Sequence, residues 1–368
     1  MKILYISHVT WGWMKQRPQF IAEQLAKKNQ VDVYYRKILN PKLSYMNKDN
    51  LGAGNLKLYS FITLPLYRIF KFLPVRWLEK VNKWLWSFNK INYSQYDLIY
   101  LCDCSAYERI KDKVDVGKIL YDCMDDKQSF PRVLAYPKYR KYCFELEREL
   151  IKNAGIVTCT ADYLRDTLVK RFGVQRDYVV INNAISTNLF YQKEVYDDLS
   201  LPENSFTYIG TVAEWFDFDL VINVLEKVKN IYIIIFGPPG NAETKYKHDR
   251  LVFKGTITHD KVLAAMKAST GLIMPFKVND LIRSVNPVKL YEYIYAGKPT
   301  AAIRYEESEK FKNFVYLYST EEEFINFIEK AKACKGNYTK DKQDEMKKFA
   351  SENTWDARAN QILNIIKR

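Results

Sequence analysis

The sequence predicts two doubly wound α/β domains, and three observations carry that expectation. Short apolar runs rich in β-branched and aromatic residues alternate with helix-length segments, the mark of parallel strands covered on both faces. The alternation runs once, meets a polar stretch from Asn183 to Ser205, and then begins again. With 368 residues the chain has room for two domains of ordinary size.

In the first half the strands fall at 3–6 (ILYI), 31–35 (VDVYY), 97–101 (DLIYL), 118–123 (KILYDC), 155–160 (GIVTCT) and 178–182 (YVVIN). Helix-like segments at 17–28, 138–153 and 161–172 lie between them. In the second half, strands at 206–210, 231–236, 251–255, 271–276, 299–303 and 315–318 alternate with helices near 217–228, 259–269, 286–296 and 321–333. The expected division is an N-terminal domain over 1–185, a linker over 186–204, and a C-terminal domain over 205–340. One or two helices over 341–368 would then cross back toward the first domain. Two such domains place a ligand cleft at the carboxyl ends of their strands.

Composition narrows the function classes. Lys and Arg number 57 against 43 Asp and Glu, a formal charge of +14, so an anionic partner is expected: nucleic acid, an acidic membrane surface or a phosphorylated substrate. With 48% hydrophobic residues and 28 Tyr, the chain is no disordered segment, and 13 Gly with 12 Pro exclude collagen-like and low-complexity classes. The six cysteines form no CxxC pair, which reads as reduced, buried thiols in a cytosolic protein. Cys102-Asp103-Cys104 lacks the further ligands a metal site needs, in a chain with three His. The apolar start is too short for a signal peptide, and no run of 18 uncharged apolar residues spans a membrane.

One stretch departs from the alternation. Residues 64–91 hold Trp77, Trp84, Trp86 and three Phe, with Arg68, Lys71, Arg76, Lys80, Lys83 and Lys90 against the single carboxylate Glu79. That is the composition of an interfacial segment, aromatic at headgroup depth and cationic toward anionic lipid. A helix pair packed on the N-terminal domain is the plainer alternative. No nucleic-acid-binding module accompanies it.

The chemistry concentrates in Arg283-Ser-Val-Asn-Pro-Val-Lys-Leu-Tyr-Glu292 and the residues up to Pro299. Asn286 as cap and Pro287 at the first helical position predict a helix starting here, just past the strand that ends at Phe276. Its N-terminus, with Val288, Ser284 and Arg283 nearby, offers free N–H groups to a pyrophosphate. Lys289 supplies a cation for phosphate, and Glu292, three residues on, a carboxylate able to accept from two ribose hydroxyls. An ordinary capped helix with a surface Lys–Glu pair is the alternative. Gly210, followed by Thr211, and Gly237 end strands and let backbone approach a ligand. Asp217-Phe-Asp219 reads as a helix start, not as a metal-binding Asp-x-Asp.

The segment from Pro275 through Asn286-Pro-Val-Lys-Leu-Tyr-Glu-Tyr-Ile-Tyr-Ala-Gly-Lys-Pro299 resembles the donor-binding helix of GT-B glycosyltransferases of the family 4-like group. Gln16-Arg-Pro-Gln-Phe-Ile-Ala-Glu, Tyr121-Asp-Cys-Met-Asp-Asp126, Ala184-Ile185 with Phe190, Gly210-Thr-Val-Ala-Glu-Trp-Phe-Asp217 and Trp355-Asp356 agree in order and spacing. The likeness is greatest to bacterial enzymes of teichuronic-acid, capsule and other exopolysaccharide assembly. It implies a nucleotide-sugar donor, usually UDP-linked, held by the C-terminal domain, with Glu292 on the ribose and the turn at Thr256-Ile257 reading the base. The family's first carboxylate of a Glu-x7-Glu pair falls on Ser284, a departure that bears on sugar identity and stereochemistry.

An acceptor hydroxyl needs a base, and the N-terminal domain offers Asp125 and Asp126 after a strand, with His8 a further candidate; loop capping is the alternative role for the aspartates and packing for the histidine. Trp11, Trp13 and Arg17 form a plausible acceptor-side surface, or pack. The expected protein is thus a metal-independent transferase without cofactor. It would sit on the inner face of the cell membrane and move a sugar to a cell-surface, lipid-linked glycan precursor. A nucleotide-sugar epimerase and a degenerate sugar-nucleotide-binding module are the rivals.

Overall fold

The apolar runs become the inner strands of two parallel sheets. The computed structural model describes residues 1–12, 14–47 and 54–367 and forms two units, Met1–Asn182 with Trp355–Arg368, and Asn183–Thr354.

Unit 1 runs β1 (Lys2–Ser7), α1 (Arg17–Ala26), β2 (Gln30–Arg36), β3 (Leu56–Phe61), α2 (Leu66–Ile69), α3 (Val75–Ser87), β4 (Leu98–Leu101), α4 (Tyr107–Ile110), β5 (Ile119–Cys123), α5 (Pro131–Leu134), α6 (Pro137–Asn153), β6 (Ile156–Cys159), α7 (Asp162–Phe172) and β7 (Tyr178–Val180). The strands form one parallel sheet in the order β3-β2-β1-β4-β5-β6-β7. Ile3, Leu4, Ile119, Leu120 and Val157 are wholly buried, as strands covered on both faces must be. β3 escaped the sequence reading because Lys57 and Ser60 break its apolar run; it is an edge strand, and only Leu58 and Phe61 are buried. The last helix, Trp355–Ile366, packs on α1, with Trp355 stacked on Phe20 at 5.2 Å.

Unit 2 runs β8 (Ser205–Ile209), α8 (Phe218–Lys227), β9 (Tyr232–Phe236), α9 (Ala242–Lys245), β10 (Leu251–Gly255), α10 (Val262–Ala268), β11 (Gly271–Met274), α11 (Asp280–Arg283), α12 (Val288–Ala296), β12 (Thr300–Ile303), β13 (Tyr316–Tyr318), α13 (Glu321–Ala333) and α14 (Lys340–Glu352). Its parallel sheet has the order β10-β9-β8-β11-β12-β13. The strand order reverses between β8 and β11, the switch point where open α/β sheets bind ligands.

Two boundaries differ from expectation. The supposed linker is folded onto unit 2: Ile185 and Leu189 bury in its core, and Phe190 meets Tyr295 at 4.6 Å between ring centroids. Its polar residues mislead because they cap turns, as Ser186 does for Asn188. The tail over 341–368 divides: Met346 and Ala350 of α14 enter the unit 2 core, and only Trp355 onward joins unit 1. Five of the six cysteines are free and buried, whereas Cys334 is exposed.

Candidate functional site

At the switch point of unit 2 the sequence leaves a bare floor. Gly210, just past β8, has φ +154° and Gly237, just past β9, has φ +140°. A Cβ on Gly210 would stand 2.2 Å from Cε of Lys289, and one on Gly237 would stand 2.0 Å from the carbonyl oxygen of Gly210. Neither place admits a side chain. Lys289, in the first turn of α12, therefore lies directly over glycine backbone, its ammonium 5.6 Å from the Tyr208 ring centroid. The Tyr293 hydroxyl accepts from the N–H of Ile209 at 2.9 Å and ties α12 to the end of β8.

Glu292 is half-buried and hydrogen-bonds to no described residue. Burial pushes its carboxyl up to about 7, against the pull of Lys289. An unpaired ammonium in the first turn of α12, over glycine backbone, with an unpaired carboxylate three residues on, can meet a diphosphate and hydroxyl groups respectively. Beyond Gly237 along the same edge, the N–H of Gly237 donates to the carbonyl of Gly255 at 2.7 Å. That places the exposed Thr256 and partly buried Ile257 next in line.

Other residues expected to bind donor are otherwise engaged. The helix starts at Val288 with Pro287 as cap, one residue later than anticipated. Asn286 does not cap it. Its buried amide accepts from the Asn183 N–H at 2.9 Å and donates to Glu307 at 3.2 Å, which holds the chain entry of unit 2. Ser284 is wholly buried and its hydroxyl donates to the Leu281 carbonyl at 2.7 Å. Arg283 forks onto Glu306. Thr211 is exposed beside the floor. Asp217 accepts from the Leu220 N–H at 3.1 Å and caps α8. Among the described residues no group of three or more His, Cys, Asp or Glu could hold a metal ion.

The carboxyl edge of unit 1 is, by contrast, laced with ion pairs. Arg17 is buried and donates to both oxygens of the wholly buried Asp122 at 2.8 and 3.0 Å. Tyr100 and Thr158 complete that carboxylate at 2.6 and 2.8 Å. Arg17 is therefore a strut between α1 and β5, not an acceptor-facing cation. Asp122 itself escaped the sequence reading because it sits inside an apolar strand, with only the distant Arg17 to explain it. Lys127 pairs with Asp103 at 2.7 Å, and the Lys127 charge, with His8 and Ser105, holds that carboxyl far below its ordinary value despite burial. Asp126, 1% exposed, is gripped by Arg171 and accepts from the Gln128 N–H at 3.1 Å. It is a loop anchor and not a base.

Of the expected catalytic groups, two on this edge remain uncommitted. Asp125 presents its side chain to solvent, yet protein crowds it enough that desolvation pushes its carboxyl up to about 6, opposed by Arg132 and Arg17. His8, just past β1, has a buried Nδ1 without a partner. Burial, with Lys127, Arg132 and Arg36, lowers its pKa to about 4 against the pull of Asp103. Trp11 is half-buried and leans on Tyr35, ring centroids 6.4 Å apart; Trp13 lies outside the described residues.

The aromatic stretch folds as α2 and α3, and α3 turns two apolar faces in different directions. Val75, Leu78 and Trp86 enter the unit 1 core, where the Trp86 indole donates to Tyr93 at 2.7 Å. Trp86 is thus a core residue and not a surface anchor. The opposite face exposes Trp77 (64%), Val81, Trp84 (60%) and Phe88 (61%), and the turn before it exposes Ile69, Phe70 and Phe72 (91%). Arg68, Lys71, Arg76 and Lys80 are exposed among them. Arg76 pairs with Glu145 at 2.8 Å and Lys83 with Asp112. The patch extends to a second segment: Tyr67 stacks on Tyr139 at 3.7 Å, and Lys138 reaches the Phe72 carbonyl at 3.4 Å. Among the described residues no helix is long and apolar enough to cross a membrane.

No family model matches the chain. A candidate teichuronic acid biosynthesis glycosyltransferase, TuaH of Bacillus subtilis strain 168, is 24% identical over 261 residues, 67% of this chain and 66% of that protein, just under two thirds of its length. Among solved structures, sucrose-phosphate synthase of Thermosynechococcus elongatus matches with a TM-score of 0.73 at 15% identity, covering 100% of this chain and 98% of that one. HepE of Anabaena, solved with UDP and glucose, matches with a TM-score of 0.67 at 15% identity over 100% and 99% of the two chains. The fold is GT-B, two parallel-sheet α/β units of the kind glycosyltransferases use.

Proposed function

We propose that this chain is a glycosyltransferase that takes a sugar from a UDP-linked donor and gives it to a lipid-linked precursor of a cell-surface glycan. One observation carries the donor half: the glycine floor at Gly210 and Gly237 under Lys289, with Glu292 unpaired in the same helix. Lys289 and the α12 N-terminus neutralise the diphosphate leaving group, which is the task a metal ion performs in other transferases; on this reading none is needed. Glu292 accepts from the ribose hydroxyls, and Ile257 lies against the base.

In unit 1, Asp125 takes the proton of the acceptor hydroxyl. The oxygen then attacks the anomeric carbon, the bond from that carbon to the β-phosphate oxygen breaks, and the diphosphate leaves with its electron pair. Displacement of this kind inverts the anomeric centre. A carboxyl near 6 suits a base at neutral pH. The basic aromatic surface of α2 and α3 supports a bilayer-borne acceptor, reached from the inner membrane face.

Calorimetry with UDP, with and without chelator, tests the donor half. Wild type should bind regardless of chelator, and Glu292→Ala should lose roughly 10–100-fold in affinity, the worth of a charged hydrogen-bonded pair. Affinity should fall as pH drops below about 7, where Glu292 takes a proton, and Glu292→Gln should flatten that dependence. Binding of UDP without turnover of any UDP-sugar would instead mark a degenerate binding module, the rival that buried Ser284 keeps in view.

A further inference from the structure

We propose that the carboxyl edge of the unit 1 sheet carries a phosphate site, made by Arg36, Arg68, Arg132 and His8, that holds the phosphate or diphosphate of the acceptor. The role given to the ligand rests on the glycosyltransferase reading above; the site itself stands on unit 1 alone.

Topology brings the four groups together. Arg36 ends β2 and is in register with Phe61 at the end of β3; Arg68 lies on α2, which follows β3. His8 follows β1, and Arg132 lies on α5, which follows β5. In the order β3-β2-β1-β4-β5 all four leave the same edge of one sheet. They are within electrostatic reach of one another. Burial, then Arg132 and Arg68, holds the Arg36 guanidinium below its ordinary value, and Arg132 and Arg36 both act on His8.

The cations differ from their neighbours in lacking counter-ions. Arg17, Lys127 and Arg171 on this edge each own a carboxylate. Among the described residues Arg36, Arg68 and Arg132 form no ion pair, and the acids facing them are spent except for Asp125: Asp103 on Lys127, Asp122 on Arg17, Asp126 on Arg171. Three guanidinium groups with Asp125 as the one unspent acid repel one another, whereas a phosphate dianion would satisfy several guanidinium forks at once. The buried, unpartnered Nδ1 of His8 is the second mark of a missing ligand. A neutral imidazole can donate from that nitrogen to a phosphate oxygen.

The position of the site selects the ligand class. Arg68 lies on α2, next in sequence to the exposed Ile69, Phe70 and Phe72, while Arg132 acts on Asp125. The site thus adjoins exposed apolar residues through Arg68 and the proposed base through Arg132, as lipid, phosphate and sugar hydroxyl adjoin in a lipid-linked sugar diphosphate. A soluble sugar phosphate shares the same phosphate chemistry, and the experiment separates the two.

The full chain, its donor site saturated with UDP, is titrated calorimetrically with inorganic pyrophosphate, glucose 1-phosphate and farnesyl diphosphate. Pyrophosphate should bind wild type, and Arg36→Gln with Arg132→Gln should weaken it at least about tenfold, the loss of charged hydrogen bonds, with UDP affinity unchanged. Farnesyl diphosphate binding about tenfold or more above glucose 1-phosphate assigns the lipid-linked source; equal binding assigns the soluble one. Absence of pyrophosphate binding beside UDP, or binding indifferent to the arginines, overturns the site. Should the double variant unfold, Arg36→Lys and His8→Ala carry the same test. Should UDP not bind at all, the donor reading fails, and pyrophosphate titration in a Lys289→Ala background still judges the arginines.

Discussion

The carboxyl edges of the two sheets solve the same structural problem in opposite ways. In unit 1 the loops are pinned by ion pairs, the buried Arg17–Asp122 and the partly buried Lys127–Asp103 and Arg171–Asp126, and the groups left over are the working candidates. In unit 2 the edge is stripped to glycine at Gly210 and Gly237, with an unpaired lysine over it and an unpaired glutamate in the same helix. A backbone floor suits a ligand met through its phosphates, common to every nucleotide sugar. A charged, anchored edge suits a reaction in which one proton must be placed. Paired charges are structure, and unpaired ones are the candidates for function.

The sharpest way to break that contrast is to exchange Asp125 and Asp126 as targets. Asp125→Asn should cost about 10²–10⁴ in turnover with UDP affinity kept, since the base is gone and the fold untouched. Asp126→Asn should instead lower the melting temperature, because Arg171 loses its counter-charge and one of its two acceptor oxygens. Wild-type activity should fall as pH drops below about 6, where Asp125 gains its proton. The sign for stability is the reverse. A carboxyl raised in the folded state costs stability that grows as pH rises from its ordinary value to about 6 and is full above that, so Asp125→Asn should be the more stable protein at pH 8 and lose that advantage near pH 4. If the two variants show the same phenotype, the division between anchor and base fails.

Arg17→Met probes the anchoring itself. It leaves Asp122 buried beside Tyr100 and Thr158 without its cation, a loss of about 3–5 kcal/mol measurable by denaturant unfolding. A smaller effect than this would mean that unit 1 does not depend on its ion pairs.

The gentlest test concerns the outer face of α3. Trp77→Ser with Trp84→Ser removes two exposed indoles and leaves Trp86 in the core. Co-sedimentation with phosphatidylglycerol vesicles should drop severalfold, of the order expected for two interfacial aromatics, with the melting temperature unchanged. Unaltered sedimentation would remove the bilayer from the proposal.

Much of this was legible in the chain. Periodicity alone located the inner strands and most helices, because a strand buried on both faces must be apolar throughout. It missed β3, a strand at one end of the sheet that admits the polar Lys57 and Ser60 on its two faces. The residues around α12 carried the donor site, since helix start, cation and carboxylate share one stretch of sequence. The role of Asp126 was not legible, because its partner Arg171 is 45 residues away.

The sequence by itself determined the two-sheet α/β class, the basic aromatic segment and the Lys289–Glu292 pair, all properties of local pattern and composition. Only the tertiary structure decided which charges are spent. Pairing energy depends on burial and distance, and residues such as Arg17 and Asp122, 105 positions apart, meet only once the sheet has formed. It likewise turned Trp86 inward and Trp84 outward, since two residues along a helix point to different sides and packing selects which one is covered.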